Sequence, residues 1–161
     1  MSKSILVIDN FIEDHIAELM IDFYDASATE ADSPKLSKLD CGEPMPINEL
    51  IGLVWEKQND AARKLAKGKV HWAQIYRWPI GSDMSLHNDV ASAHTIFTSI
   101  LYLNDDFEGG FTEFADGTRV APKKGRIVFY DGIHYWHKVT EITKGTRYTF
   151  AAWYKSEVNQ N

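Results

Sequence analysis

The chain has 161 residues, 44% of them hydrophobic and 12% aromatic, which suits one folded core and excludes a disordered chain. A net charge of −6 argues against a general phosphate-binding surface for nucleic acid. No apolar run approaches the roughly 20 residues of a membrane helix, the apolar N-terminal segment is too short for a secretory signal, and a single cysteine, Cys41, excludes an internal disulfide and fits a reducing, cytoplasmic setting.

Residues 5–9, ILVID, read as a strand. Asn10 with Glu13 three residues later resembles a capping box. Ile12, Ile16, Leu19, Met20 and Phe23 then recur at helical spacing and predict a helix from Phe11 to Tyr24. The polar stretch 26–46, with prolines at 34, 44 and 46 and a glycine at 42, reads as a long loop with room for one short strand. Such loops are often functional, and this one is a candidate to close over a substrate. Leu50, Val54, Ala61 and Leu65 mark a second amphipathic helix over 47–66, with Gly68 placed to end it. The texture then changes to short β-branched and aromatic runs: KVHWAQIYRW, the alternating 93–104 segment, FTEFADGTRVAP, GRIVFYD and RYTFAAWYK. Asp116-Gly117 is a hairpin signal, and Gly109-Gly110 marks a turn or bulge that only glycine fits. Two helices followed by seven or eight strands predict one domain over 1–161, with helical support over 1–68 and a closed or sandwiched antiparallel β core over 69–155. The clusters Lys64, Lys67, Lys69 and Arg119, Lys123, Lys124, Arg126 read as solvated faces, and Trp78, Trp136 and Trp153 as core or pocket wall.

Within SLHNDVAS, residues 85–92, His87 and Asp89 stand two apart, so on a strand they share a face. Alone, that pair is most simply a surface hydrogen bond. A facial triad of two histidines and one carboxylate needs a second histidine from elsewhere. His71, His94, His134 and His137 are the plausible donors, with His15 on the first helix. His134 and His137 are three apart, so only one of them can face into a barrel. The last strand alternates Arg147, Thr149, Ala151 and Trp153 with Tyr148, Phe150, Ala152 and Tyr154. The first set, a cation, a hydroxyl, a small residue and a large ring, makes a pocket wall. A turn within 142–145 would lay this strand beside the 134–139 strand. The residues alone leave the third ligand open.

Taken together, one ordered set of elements resembles the Fe(II)- and 2-oxoglutarate-dependent dioxygenases, in particular their prolyl 4-hydroxylase-like branch. The set runs from about Gln74 to Tyr154: Tyr76, His87-Asn88-Asp89, Tyr102-Leu103-Asn104, GGFTEF (109–114), APKKGRIVFYD, His137-Lys138-Val139, and Arg147 ten residues on, followed by YTFAAWY. RYTFAAWY is similar to the matching strand of the hypoxia-inducible-factor prolyl hydroxylases, whereas collagen enzymes usually carry Lys at the position of Arg147. The pattern departs at Phe111, where many relatives are acidic.

The resemblance implies a mainly β fold, a double-stranded β-helix or jelly-roll core with N-terminal helices packed on one side. It implies His87, Asp89 and His137 as Fe(II) ligands, with His134 as the rival. Arg147 would anchor the distal carboxylate of 2-oxoglutarate, with Tyr102 as hydroxyl partner, Thr149 assisting, and Tyr76 near the co-substrate or substrate. Trp153 and Trp78 would belong to the substrate pocket. The implied reaction uses O2 to decarboxylate 2-oxoglutarate to succinate and CO2 while hydroxylating a C–H bond, with ascorbate as an auxiliary reductant. Asp89 keeps a carboxylate on the metal, which favours hydroxylation over halogenation. The expected substrate is a peptidyl proline in a peptide or protein. The alternatives are a free amino acid or small metabolite, and a non-catalytic metal- or ligand-binding module of the same fold. Neither nucleic acid nor a membrane is an expected partner.

Overall fold

The period-two alternation in the second half of the chain becomes two antiparallel sheets that enclose a cavity. The computed structural model describes residues 4–29, 33–89 and 94–157. In chain order the elements are β1 (Leu6–Ile8), α1 (Asp14–Ser27), β2 (Ser37–Gly42), α2 (Glu49–Ala66), β3 (Gly68–Trp78), β4 (Met84–His87), β5 (Phe97–Tyr102), β6 (Glu108–Gly109), β7 (Thr112–Phe114), β8 (Arg119–Val120), β9 (Ile127–Tyr130), β10 (His137–Val139), β11 (Ile142–Lys144) and β12 (Arg147–Ser156). The major sheet runs β1-β9-β5-β12-β3-β2, the minor sheet β4-β10-β7-β8, and β11 pairs with β6. The strand pattern's closed antiparallel core is present, in the double-stranded β-helix form that the resemblance implied.

The register of the major sheet sorts its side chains. β12 pairs with β3 from Arg147 opposite Trp78, and with β5 from Thr149 opposite Tyr102 to Tyr154 opposite Phe97. One face therefore carries Gln74, Tyr76, Trp78, Thr98, Ile100, Thr149, Ala151 and Trp153 toward the minor sheet. The other buries Ile75, Phe97, Leu101, Phe129, Phe150 and Tyr154 against Ala17, Met20, Tyr24, Ile51, Val54 and Trp55 of the two helices. Each large apolar side chain so buried is worth about 1.5–3 kcal/mol. The helices thus hold the sheet rigid from behind and leave its front to the site.

Several boundaries differ from expectation for local reasons. α1 starts at Asp14, not Phe11, because Asn10 takes a left-handed φ of 55° and Phe11 N–H donates to Gly125 O at 2.8 Å. Glu13 is the N-cap and its side chain makes no capping bond, so no capping box forms. α2 starts at Glu49, where Asn48 Oδ1 accepts from Ile51 N–H at 2.9 Å. Lys67 itself takes the left-handed turn that ends α2, and Gly68 opens β3, where a Cβ would sit 3.0 Å from the Phe97 ring. The 1–68 segment is more than helical support, since β1 and β2 are edge strands of the major sheet. β2 ties residues 37–42 of the 26–46 stretch to β3; residues 30–32 of it lie outside the described residues.

The 142–145 segment does not lay β12 beside β10. It forms β11, paired with β6, and the chain crosses from the minor sheet to the major one. That crossing puts His137 and Arg147 on different walls of one cavity. Trp136 is 47% exposed rather than core, because it alternates with inward His137. The Asp116-Gly117 hairpin forms between β7 and β8 as expected, with Gly117 at φ 94°. The second basic cluster is an ion-paired face: Arg126 and Lys123 meet Asp9, Lys124 meets Glu18, and Arg119 meets Glu113.

Candidate metal centre and its cavity

β4 and β10 are neighbours, and their register sets His87 directly opposite His137. Asp89 follows just past the end of β4, its N–H donating to Gly132 O at 2.8 Å. Asp89 Oδ1 lies 3.8 Å from His87 Nε2 and 3.4 Å from His137 Nε2, and the three ligand-capable atoms all fall within 4.8 Å of one another. His134 is not among them: it is exposed, with Nδ1 2.5 Å from Asp131 Oδ2. His71 faces Glu43 and His15 faces Glu13.

The outward atoms of all three side chains are already committed. His87 Nδ1 meets Ser85 O, and His137 Nδ1 meets Tyr135 O, both at 2.8 Å. A carbonyl only accepts, so each Nδ1 carries the hydrogen and each Nε2 turns a lone pair inward. Thr98 Oγ1 donates to Asp89 Oδ2 at 2.8 Å, which leaves Oδ1 facing the imidazoles. Three acceptors thus converge with no donor between them among the described residues, an arrangement that a cation relieves. Two neutral imidazoles and one carboxylate on one face are a donor set that fits Fe(II).

The cavity beyond the triad has a volume of about 150 Å³. Met84, Ile100, Val139 and Ala151 give it dry walls, and Thr98, Thr112, Tyr130 and Thr149 give it hydroxyls. Arg147 lines it too, although only 1% exposed. The guanidinium donates from Nε to Gly110 O at 3.0 Å and from Nη2 to Thr112 Oγ1 at 3.4 Å, and lies against the rings of Trp78 and Tyr102. Among the described residues no carboxylate pairs with it, and burial lowers its pKa. A buried cation with unused donors facing a cavity is a built anion site.

The remaining candidates fall into two groups. Thr149, Trp78, Trp153 and Tyr76 line the cavity. Trp78 Nε1 donates to Thr149 Oγ1 at 3.3 Å, which leaves the Thr149 hydroxyl hydrogen free for the cavity. Trp153 stacks on Trp72 at 3.8 Å between ring centroids. Tyr102 stands behind this layer: it is fully buried, bonds Thr112 Oγ1 at 2.5 Å, and presents its ring to Arg147. Two participants escaped the sequence reading. Tyr130 lines the cavity, makes no hydrogen bond among the described residues, and has its pKa pushed well up by burial and then by Asp89. Gly132 packs so tightly that a Cβ would lie 2.3 Å from Asp89 Oδ2 and 2.5 Å from Thr98 Oγ1. Gly110 plays a similar part at Arg147, since a Cβ there would meet Arg147 Cδ at 2.9 Å.

A family model described as the 2OG-Fe(II) oxygenase superfamily matches residues 72–155, just over half the chain and all of the triad. The chain belongs to the 2OG-Fe(II) oxygenase superfamily. Membership brings Fe(II), 2-oxoglutarate and O2 as the family's cofactor and co-substrates, and the donor set suits them. Among curated proteins, human prolyl 3-hydroxylase 3 is 42% identical over 65 residues and chicken prolyl 3-hydroxylase 1 is 45% identical over 65. Each match covers 36% of this chain and only 9% of the relative. Among solved structures, a viral collagen prolyl hydroxylase from Paramecium Bursaria Chlorella virus-1, as a 2OG complex, superposes with a TM-score of 0.79 at 19% identity over 98% of both chains. A Pseudomonas putida prolyl-4-hydroxylase gives 0.73 at 17% identity, covering 98% of this chain and 95% of that one.

Proposed function

We propose that this chain is a Fe(II)- and 2-oxoglutarate-dependent dioxygenase that hydroxylates a peptidyl proline. The observation that carries the reading is Arg147: a buried guanidinium with no carboxylate partner among the described residues, facing the cavity that His87, Asp89 and His137 close from the other sheet. The proline as substrate is supported by similarity, since the sequence and the fold both lead to prolyl hydroxylases, although these differ in the ring carbon named.

In this reading His87 Nε2, Asp89 Oδ1 and His137 Nε2 hold the metal. The bound Fe(II), with 2-oxoglutarate and O2, supplies the oxidative decarboxylation that yields succinate and CO2 and delivers one oxygen atom to the substrate. Every other task falls to the chain. Arg147 holds the distal carboxylate of the co-substrate by a planar fork of N–H donors. Thr149 and Tyr130, both with hydroxyl hydrogens to give, complete the carboxylate's hydrogen bonds. Ile100, Val139, Met84 and Ala151 keep water out, which strengthens each polar contact inside. The carbonyls of Ser85 and Tyr135 and the Thr98 hydroxyl hold the ligand atoms on aim.

The test supplies Fe(II), 2-oxoglutarate, ascorbate and O2, with and without blocked proline peptides. Succinate formation and a peptide mass gain of one oxygen are the expected results. Succinate with oxygen gained by a free amino acid instead would move the substrate to small metabolites. Absence of both succinate formation and 2-oxoglutarate binding by calorimetry would leave a non-catalytic module.

A further inference from the structure

Tyr76 stands where the cavity meets the surface. It lines the cavity with the triad and, with Met84, also lines a shallower hollow beside Leu36 and Lys38. Its hydroxyl ends a chain that crosses two strands. Tyr76 Oη donates to Gln74 Oε1 at 2.8 Å, and Gln74 Nε2 donates to Asp40 Oδ1 at 2.5 Å. The β2–β3 register makes this possible, with Asp40 opposite Gln74 and Tyr76 two residues along on the same face.

The direction of the chain is fixed from its outer end. A carboxylate only accepts, so the amide NH2 of Gln74 faces Asp40. The amide oxygen then faces Tyr76, and it too only accepts, so the Tyr76 hydrogen is committed. Gln74 is buried, and both ends of its amide are taken by these two partners. Tyr76 therefore offers the cavity mouth oxygen lone pairs and nothing else.

We infer that Tyr76 is a specificity-determining residue that accepts a hydrogen bond from the substrate, and that Asp40, acting through Gln74, is the positioning residue that sets this direction. The inference rests on the prolyl reading above and narrows it. A proline ring within a peptide has no N–H. The nearest donor is the backbone N–H of the residue that follows, whereas a carbonyl placed there meets a second oxygen and is repelled. The selected unit is thus a proline followed by a residue other than proline.

A blocked alternating proline–alanine peptide and its ester analogue, with each alanine replaced by lactate, isolate that N–H. Calorimetry with Fe(II) and 2-oxoglutarate under anaerobic conditions reads affinity without turnover, and 2-oxoglutarate consumption in air reads the reaction. Wild type should bind the amide about tenfold tighter than the ester. Tyr76→Phe should bind the two with nearly equal affinity. Asp40→Asn, an exposed change, should narrow the preference as well, because an amide at position 40 can donate to Gln74 and let the whole chain reverse. Any effect of the ester beyond the N–H is common to all three proteins and cancels in the comparison. Equal binding of amide and ester by wild type, or an undiminished preference in Tyr76→Phe, overturns the inference and leaves the prolyl reading standing. A wild type that binds neither peptide overturns both.

Discussion

Replacing Arg147 by methionine should move stability and co-substrate affinity independently. The guanidinium is 1% exposed, and its partners are one carbonyl at 3.0 Å, one hydroxyl at 3.4 Å, the Tyr102 hydroxyl and two aromatic faces. Desolvating an ion costs several kcal/mol. A hydrogen bond from a charged donor returns about 1.5–3 kcal/mol, and a desolvated cation–π contact up to about 2. In the free protein these terms nearly cancel. Arg147→Met keeps a flexible side chain without the charge, so unfolding free energy should change by less than about 2 kcal/mol, in either direction. Co-substrate binding should suffer far more, because truncating one partner of a buried charge pair costs about 2–5 kcal/mol, roughly 30-fold or more in affinity. Denaturant melts with and without Fe(II) and 2-oxoglutarate, run anaerobically, read both. At a co-substrate concentration about 100 times the wild-type Kd, the wild type gains about 2.7 kcal/mol, while a 30-fold weaker variant gains about 0.9. A variant that loses several kcal/mol when free yet keeps the wild-type gain would refute the role of Arg147 as an anion anchor.

Other outcomes follow from single residues. His87→Ala and Asp89→Ala should each abolish succinate formation while circular dichroism and melting stay near wild type; activity retained in both would overturn the metal assignment. Gly132→Ala forces a Cβ to within 2.3 Å of Asp89 Oδ2, and titration with Mn(II) should show metal affinity lower by about 10–100-fold. Gly52→Ala, whose Cβ meets its nearest neighbour at 3.8 Å, should leave that affinity unchanged. Burial pushes the Cys41 thiol up to about 12, against about 8.5 in an unfolded chain. The folded state holds the proton more tightly, so this contribution is full below about pH 8.5 and is lost as pH rises toward 12. Cys41→Ala should flatten the alkaline fall in Tm, and native Cys41 should resist alkylation near pH 8.

What the sequence made legible was local. Alternation alone assigned Arg147, Thr149, Ala151 and Trp153 to one face, and all four line the cavity. Asp116-Gly117 specified its hairpin, because a turn of that type demands a positive φ that glycine supplies. Partners distant in the chain were another matter. The expected 134–139 strand begins only at His137, with His134 in the turn before it, and His137 looks inward through the pairing of β10 with β4 and β7. The same dependence moved Tyr102: Thr149 sits opposite it in the register, yet its hydroxyl is taken by Thr112 from the other sheet. Strands of two or three residues, such as β6 and β8, are too short to show any period. Gly132 carried only the ordinary mark of a turn, and its closeness to Asp89 exists only after folding.

Hydrogen-bond direction links the parts of this site more tightly than proximity does. Each chain of bonds begins at a group that can only accept: a backbone carbonyl behind His87 and His137, and a carboxylate behind Gln74. Each therefore ends by turning a lone pair inward, at the two Nε2 atoms and at Tyr76. Behind Thr149 the starting group is an indole that can only donate, and the sense is reversed, so that a hydroxyl hydrogen points inward beside the Arg147 guanidinium. The cavity is thereby divided into a region of acceptors around the triad and mouth and a region of donors around Arg147. A dicarboxylate entering without a metal finds one end repelled and the other held. Only a cation at the triad makes both ends favourable, so metal should bind before or together with the co-substrate, and calorimetric titration of metal-free protein with 2-oxoglutarate should give markedly weaker binding than titration in the presence of Mn(II).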